Sequence, residues 1–225
     1  MILAAGRGER MRPLSDHTPK ALLEAGSKPL IVWQIERLVA GGFDDIVINH
    51  AHLGALIEAR LGDGRQYGAR IRYSPEAVAL ETAGGIAQAL SLLGARPFVA
   101  VSADVYTDFD YARLQPHIDA IARDPRHTVA HFVLTDNPPF HPDGDMGIRD
   151  GRACFDPPRL NYAGIQVLAP QLFAGIAPGT IKKLFPWMFD LVRAGQVSAE
   201  HYRGRWFNIG TPQQLAELDR LLGEA

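Results

Sequence analysis

A single cysteine, Cys154, stands among 225 residues, so no internal disulfide can form and no cysteine-based zinc site can be built. It lacks a nearby His and Asn, which argues against a thiol nucleophile. Neither sign of charge is in excess. Lys+Arg 23 against Asp+Glu 25 leaves a formal charge of −2, too little positive charge to release counterions from a nucleic-acid backbone. Long apolar runs are missing as well, and none approaches the roughly 18 residues a membrane span needs. The opening Met1-Ile2-Leu3-Ala4-Ala5 has no basic n-region and stops at Gly6-Arg7-Gly8, too short for a secretory leader. We therefore expect a cytoplasmic protein without nucleic-acid or membrane partners. Repeats, low-complexity tracts and linkers are absent too. With 47% hydrophobic and 21% charged residues, the chain reads as one globular domain.

What is present is alternation. Met1 to Ala4 reads as a strand. Pro29 opens a helix with Leu30, Ile31, Ile35, Leu38 and Val39 near one face, ended by Gly41-Gly42. Asp45 to Asn49 is a buried strand, Leu53 to Leu61 a short helix, and Ala69 to Ser74 a strand. A helix follows from about Thr82, placed as its cap, to Leu93. Pro97 to Ser102 is another apolar strand. This spacing predicts an α/β fold: a Rossmann-like, doubly wound, mixed but mostly parallel sheet with helices on both faces. Beyond it, Thr128 to Thr135, Asn161 to Leu168 and Val197 to Ile209 read as strands, the last turning at Gly204. Asp150-Gly151 is a hairpin turn signal. Thr180 to Ala194 and Thr211 to Leu222 read as helices, and Asp136 to Asp145 as a loop.

In such sheets ligands bind beyond the carboxyl ends of the strands. After the first strand come Ala4, Ala5, Gly6, Arg7, Gly8, Arg10 and Arg12. The glycines let backbone N–H groups approach an anion, and the arginines offer donors to phosphate oxygens. The loop is neither common nucleotide motif: Met11 replaces the third glycine of G-x-G-x-x-G, and no G-K-[ST] follows. Lys20 by its spacing alone is a surface lysine. Asp104 follows the Pro97–Ser102 strand, where a carboxylate could hold Mg²⁺ over a phosphate; Asp108 and Asp110 read as caps for the helix near Tyr111. His50 and His52 have no third ligand in sight and read as strand-end packing.

Four pieces of this sequence resemble the signature of the sugar-nucleotide pyrophosphorylases, nucleotidyltransferases that join a nucleoside triphosphate to a sugar 1-phosphate. They are Leu3 to Leu14, Pro19-Lys20, Leu80 to Gly85, and Ser102-Ala103-Asp104-Val105. Ile48 to Ala51, Arg72 to Glu76, Asp136 to Pro138 and Glu200 to Gly204 extend the resemblance, closest to uridylyl-transferring members, over essentially the whole chain. The resemblance implies the nucleotide-diphospho-sugar transferase fold over residues 1–225, with a nucleotide-binding half of about 1–110 and a sugar-binding half of about 111–225. It implies UTP and a sugar 1-phosphate as substrates, N-acetylmuramate α-1-phosphate foremost, with glucose or mannose 1-phosphate, or another nucleotide, as alternatives. Mg²⁺ is the implied cofactor, and the protein is expected as a monomer or small homo-oligomer.

Carried onto this sequence, the resemblance makes Arg10, Lys20 and Asp104 catalytic. It assigns Ala4, Ala5, Gly6, Gly8, Arg10, Glu76, Glu81 and Gly84 to the nucleotide, and Gly164 and Asp145 to the sugar. Asp104 and Asn208 become the metal residues. Asn208 occupies a position where the family commonly has a second aspartate; an amide can ligate a hard cation but brings no charge. That departure keeps open a catalytically weak, nucleotide-sugar-sensing module. The lactyl carboxylate of a muramate would call for a cation or backbone N–H groups, with Lys182, Lys183, Arg149 and Arg159 as candidates.

Overall fold

The apolar runs of the sequence form strands wherever a helix can cross back over them. In the computed structural model, which describes residues 1–223, the first strands are β1 (Ile2–Leu3), β2 (Glu24–Ala25), β3 (Lys28–Pro29), β4 (Asp45–His50), β5 (Arg70–Pro75), β6 (Phe98–Ser102) and β7 (Val105–Thr107). They are followed by β8 (Ala130–Thr135), β9 (Gly147–Arg149), β10 (Arg152–Cys154), β11 (Asn161–Leu168), β12 (Val197–Tyr202) and β13 (Trp206–Asn208). The helices are α1 (Leu30–Ala40), α2 (Gly54–Leu61), α3 (Glu81–Leu93), α4 (Gln115–Arg123), α5 (Met188–Arg193) and α6 (Pro212–Gly223).

One nine-stranded sheet runs in the order β5-β4-β1-β6-β11-β8-β12-β10-β9, flanked by two ribbons, β2–β3 and β7–β13. Strands β5, β4, β1 and β6 are parallel. Strand β11 enters antiparallel to both β6 and β8, and β12 returns parallel to β8. Only β11 and β10 run against the common direction, so the sheet is mixed and mostly parallel, as expected. Strands from before residue 110 form one side of it (β5, β4, β1, β6) and strands from after residue 110 the other (β11, β8, β12, β10, β9).

Local chemistry explains the element ends. Pro29 precedes α1, whose Leu30, Ile31, Ile35 and Leu38 are buried, and the Gly41 N–H closes the helix on the Arg37 carbonyl. Asp150 and Gly151 both take positive φ between β9 and β10, as a two-residue hairpin of that type requires. A large core covers the sheet. A second, smaller one joins Met11, Leu23, Leu30, Tyr106, Ile209 and Leu218. It fastens the loop after β1 to both ribbons and to α6.

Three expectations fail. The helix expected from Thr180 to Ala194 is reduced to α5. Pro186 has no N–H to give, and residues 180–182 pair elsewhere: the Lys182 N–H donates to Leu80 O at 2.9 Å, and the Gly84 N–H to Lys182 O at 3.0 Å. Thr82 does not cap α3, which begins at Glu81 without any side-chain cap; the Lys182 carbonyl meets a free N–H of its first turn instead. Asp110 caps its turn through the Ala112 N–H at 3.0 Å, but Asp108 does not. It accepts from the Tyr202 hydroxyl and from the Arg205 N–H.

Candidate active site

From β1 the chain moves outward to β4 and β5, then crosses back to place β6 on the other side of β1. That reversal of strand order is where open α/β sheets bind ligands. A cavity of about 400 Å³ lies there, of a size suited to a small-molecule ligand. Its walls are the loop after β1, the start of α3, and the residues following β6.

The loop wall consists of Ala4, Ala5, Gly6, Arg7 and Gly8. Gly8 adopts φ +68, and a Cβ there would stand 3.0 Å from Lys20 Cβ. Only glycine both holds that conformation and lets the lysine stem lie against the loop. The Gly8 carbonyl is itself held by the Met11 N–H at 2.9 Å and by Ser15 Oγ at 2.7 Å. Lys20 reaches across and forms an ion pair with Asp104 Oδ2, the two side chains being 13% and 31% exposed. This shielded ammonium–carboxylate pair sits on the cavity wall, which also carries Arg7 and Glu81.

The β7–β13 ribbon completes the Asp104 side. Asn208 pairs with Val105, and the Ile209 N–H donates to Asp104 O at 2.8 Å. Residues far apart in sequence thus bring Asn208 beside Asp104. Arg10 is exposed, and its guanidinium lies over Gly210, where a Cβ would come within 3.0 Å of Nη2. Arg10 therefore flanks the Asn208 side instead of lining the cavity. Arg12 turns away to Asp16 at 3.1 Å.

The α3 wall carries Ala79, Glu81 and Thr82. Glu81 holds φ +63, a conformation a non-glycine residue keeps only when its surroundings impose it. The two backbone bonds from Lys182 bracket it on either side. Gly84 lies behind this wall, so close to the Thr180 carbonyl that a Cβ would overlap it. Glu76 is buried beneath the cavity and both its carboxylate oxygens are engaged, by Asn49 Nδ2 at 2.7 Å and by the Leu80 N–H at 2.8 Å.

Gly164 occupies a bulge of β11 at φ +71, facing Ser102, whose Oγ would lie 2.9 Å from a Cβ there. It therefore borders the cavity through Ser102. Asp145 accepts from the Tyr162 N–H at 2.8 Å and contacts His141 Nε2 at 3.1 Å. Arg149 is paired with Asp156 at 2.7 Å, and Arg159 Nε donates to Phe155 O at 3.0 Å. Lys182 places Nζ 4.6 Å from the Trp187 ring centre, and Lys183 is exposed.

Sequence reasoning missed Asn49, which lines the cavity. Its signal was a polar amide inside the apolar run Asp45 to Asn49, since a buried amide must find partners. His50 and His52 do pack at the strand end, against Glu58 at 2.7 Å and the Ser15 carbonyl at 3.3 Å. A different titratable group lies outside the cavity lining. His117 and His131 stack with ring centres 3.4 Å apart, and Glu200 lies 3.4 Å from His131 and pairs with Arg113. Burial first, then the neighbouring His131 and Arg113, push the His117 imidazole down to about 4 against the pull of Glu200.

The nucleotidyl transferase family model matches residues 1–140. The N-acetylmuramate alpha-1-phosphate uridylyltransferase of Neisseria meningitidis serogroup B is 46% identical over 230 residues, covering 99% of this chain and 97% of that relative. The enzyme of the same name from Caulobacter vibrioides is 35% identical over 239 residues, covering 100% and 97%. A Bacillus anthracis structure described as a glucose-1-phosphate thymidylyltransferase superposes with a TM-score of 0.80 at 21% identity, covering 100% of this chain and 94% of that one. Among the described residues no helix is long and apolar enough to cross a membrane.

Proposed function

The chain belongs to the nucleotidyl transferase family, and we propose that it transfers UMP from UTP to N-acetylmuramate α-1-phosphate, releasing pyrophosphate. The observation that carries this reading is the Lys20–Asp104 ion pair, held against a glycine loop at the reversal of the sheet. The near-full-length similarity to two uridylyltransferases of that name supports the choice of sugar and base. Consumption of UTP suits a cytoplasmic enzyme, and the product would return muramate to cell-wall synthesis, as in peptidoglycan recycling.

The chemistry needs no general base. A sugar 1-phosphate has a second pKa near ~6, so its attacking oxygen is ionised at pH 7. That oxygen forms a bond to the α-phosphorus while the bond from the α-phosphorus to the bridging oxygen breaks, and the electron pair leaves with pyrophosphate. What opposes the step is one anion approaching another, so catalysis comes from in-line positioning and charge neutralisation. Lys20 supplies a cation at the wall, the loop from Gly6 to Gly8 offers backbone N–H groups, and Arg10 adds charge from the Asn208 side.

Mg²⁺ is the cofactor this reading calls for. Such an ion is held by one or two carboxylates together with substrate phosphates. The donor set suits it: Lys20 takes Oδ2 of Asp104 and leaves Oδ1, while the ribbon brings the Asn208 amide alongside. When bound, Mg²⁺ would neutralise phosphate charge between Asp104 and Asn208.

The test is pyrophosphate release with Mg²⁺ across N-acetylmuramate α-1-phosphate, glucose 1-phosphate and mannose 1-phosphate, each with UTP, GTP and dTTP. UTP with the muramate should give the highest kcat/KM. Preference for another pair would move the protein elsewhere in its family, and UTP binding without product from any sugar would mark a sensing module.

A further inference from the structure

Three hydrogen bonds run without a break across the cavity floor. The Ala4 N–H donates to Asn49 Oδ1 at 3.1 Å, Asn49 Nδ2 donates to Glu76 Oε1 at 2.7 Å, and the Leu80 N–H donates to Glu76 Oε2 at 2.8 Å. The partners dictate the amide's orientation, because an N–H can be met only by Oδ1 and a carboxylate only by Nδ2. Asn49 is 2% and Glu76 5% exposed, so water does not substitute for either partner. A Cβ on Gly85 would lie 2.6 Å from Glu76 Oε1 and 2.7 Å from Asn49 Nδ2, which leaves the pair no slack. The backbone reinforces the alignment: Leu3 pairs with Asn49, and the Glu76 N–H donates to His50 O at 2.8 Å.

The ends of this run are the starts of the two opposed walls. Ala4 opens the glycine loop, and Leu80 immediately precedes α3. We infer that Asn49 is a positioning residue for the nucleotide: through Glu76 it sets the separation of the two walls. The inference rests on the reading of this cavity as the nucleotide site. Glu76 then acts from beneath the floor, as the fixed acceptor that spaces the walls. The Ala4 N–H is already taken by Asn49, so phosphate contacts fall to the backbone beyond it.

The polarity of the relay makes it testable by exchange. Asn49→Asp sets carboxylate against carboxylate. Glu76→Gln leaves one N–H facing another at Asn49 or at Leu80. The double variant Asn49→Asp/Glu76→Gln restores every partner: the carboxylate introduced at position 49 would accept from the Ala4 N–H and from the new amide at position 76, whose oxygen accepts from the Leu80 N–H. By calorimetry with Mg²⁺, Asn49→Asp should weaken UTP binding about 10- to 100-fold, the scale of a broken buried charged hydrogen bond. The double variant should recover to within about threefold of wild type. The KM for UTP should follow binding while kcat at saturating UTP moves far less. UTP binding by Asn49→Asp should also improve as pH falls, when the two carboxyls can share a proton. If Asn49→Asp does not fold, the comparison of Glu76→Gln with the double variant carries the test, and the double must bind UTP more tightly. Unchanged UTP affinity in the single variants, or a double variant no better than the weaker single, overturns the inference. Wild type that binds no UTP would overturn the nucleotide reading instead.

Discussion

On the proposed function, Lys20→Met isolates the charge assigned to the reacting phosphates while keeping the stem that packs on Gly8. A unit charge about 4 Å from a phosphate oxygen is worth about 4 kcal/mol at an effective dielectric of 20. Part of that attraction is offset because Asp104 already holds the ammonium in the free protein. Removal of one preorganised donor from a developing charge costs about 2.7–4 kcal/mol. Turnover should therefore fall about 10²- to 10³-fold, with KM for UTP raised less than about tenfold. Stability changes little by comparison. The lost pair is partly exposed and contributes about 1 kcal/mol at most, a drop in Tm of about 2–4 °C for a chain of this length. Single-turnover formation of UDP-sugar, with thermal unfolding as the folding control, separates the two effects. A folded Lys20→Met protein turning over within about threefold of wild type would refute the assignment.

Gly164→Ala should raise KM for the sugar phosphate more than for UTP, because the added Cβ crowds Ser102 and the φ of +71 disfavours any side chain; equal effects on both substrates would remove Gly164 from the sugar side. Acid should destabilise the protein through the His117 cluster. The His117 imidazole titrates at about 4 in the folded state, against about 6.5 ordinarily. The unfolded chain therefore binds the extra proton first, and stability falls as pH drops from about 6.5 to about 4. Burial alone would raise the Glu200 carboxyl, but the His131 hydrogen bond and the Arg113 charge hold it below its usual range. Its contribution is present above its unfolded value and is lost as pH falls through the lower folded one. Urea midpoints between pH 7 and 4 should decline, and His117→Gln should flatten the upper part of that decline; a wild-type midpoint constant over this range contradicts the account.

The parallel half of the sheet was legible because its signals are local. The buried run from Asp45 gives β4, the run to Ser102 gives β6, and Pro29 with Gly41 bounds α1. The insertion of β11 antiparallel between β6 and β8 was not legible, since no local pattern encodes which strand a run will pair with. The segment from Thr180 looked helical by its residues, yet its backbone groups are used by Leu80 and Gly84. Around the cavity, the glycine loop, Lys20 and Asp104 stood out in sequence and meet in space. Glu76 was seen but its depth was not, because burial under a floor depends on three strand ends together. Asp108 failed for the same reason, its partner Tyr202 lying on a distant strand.

The ribbon that zips Trp206–Asn208 onto Val105–Thr107 has a consequence for biogenesis. The strands carrying the glycine loop and Asp104 are synthesised before the segment that seats against Asp104. A nascent chain arrested before residue 206 should hold much of the parallel framework with the Asp104 side of the cavity unfinished. Competence would then arrive in one late closure, well after the framework has formed.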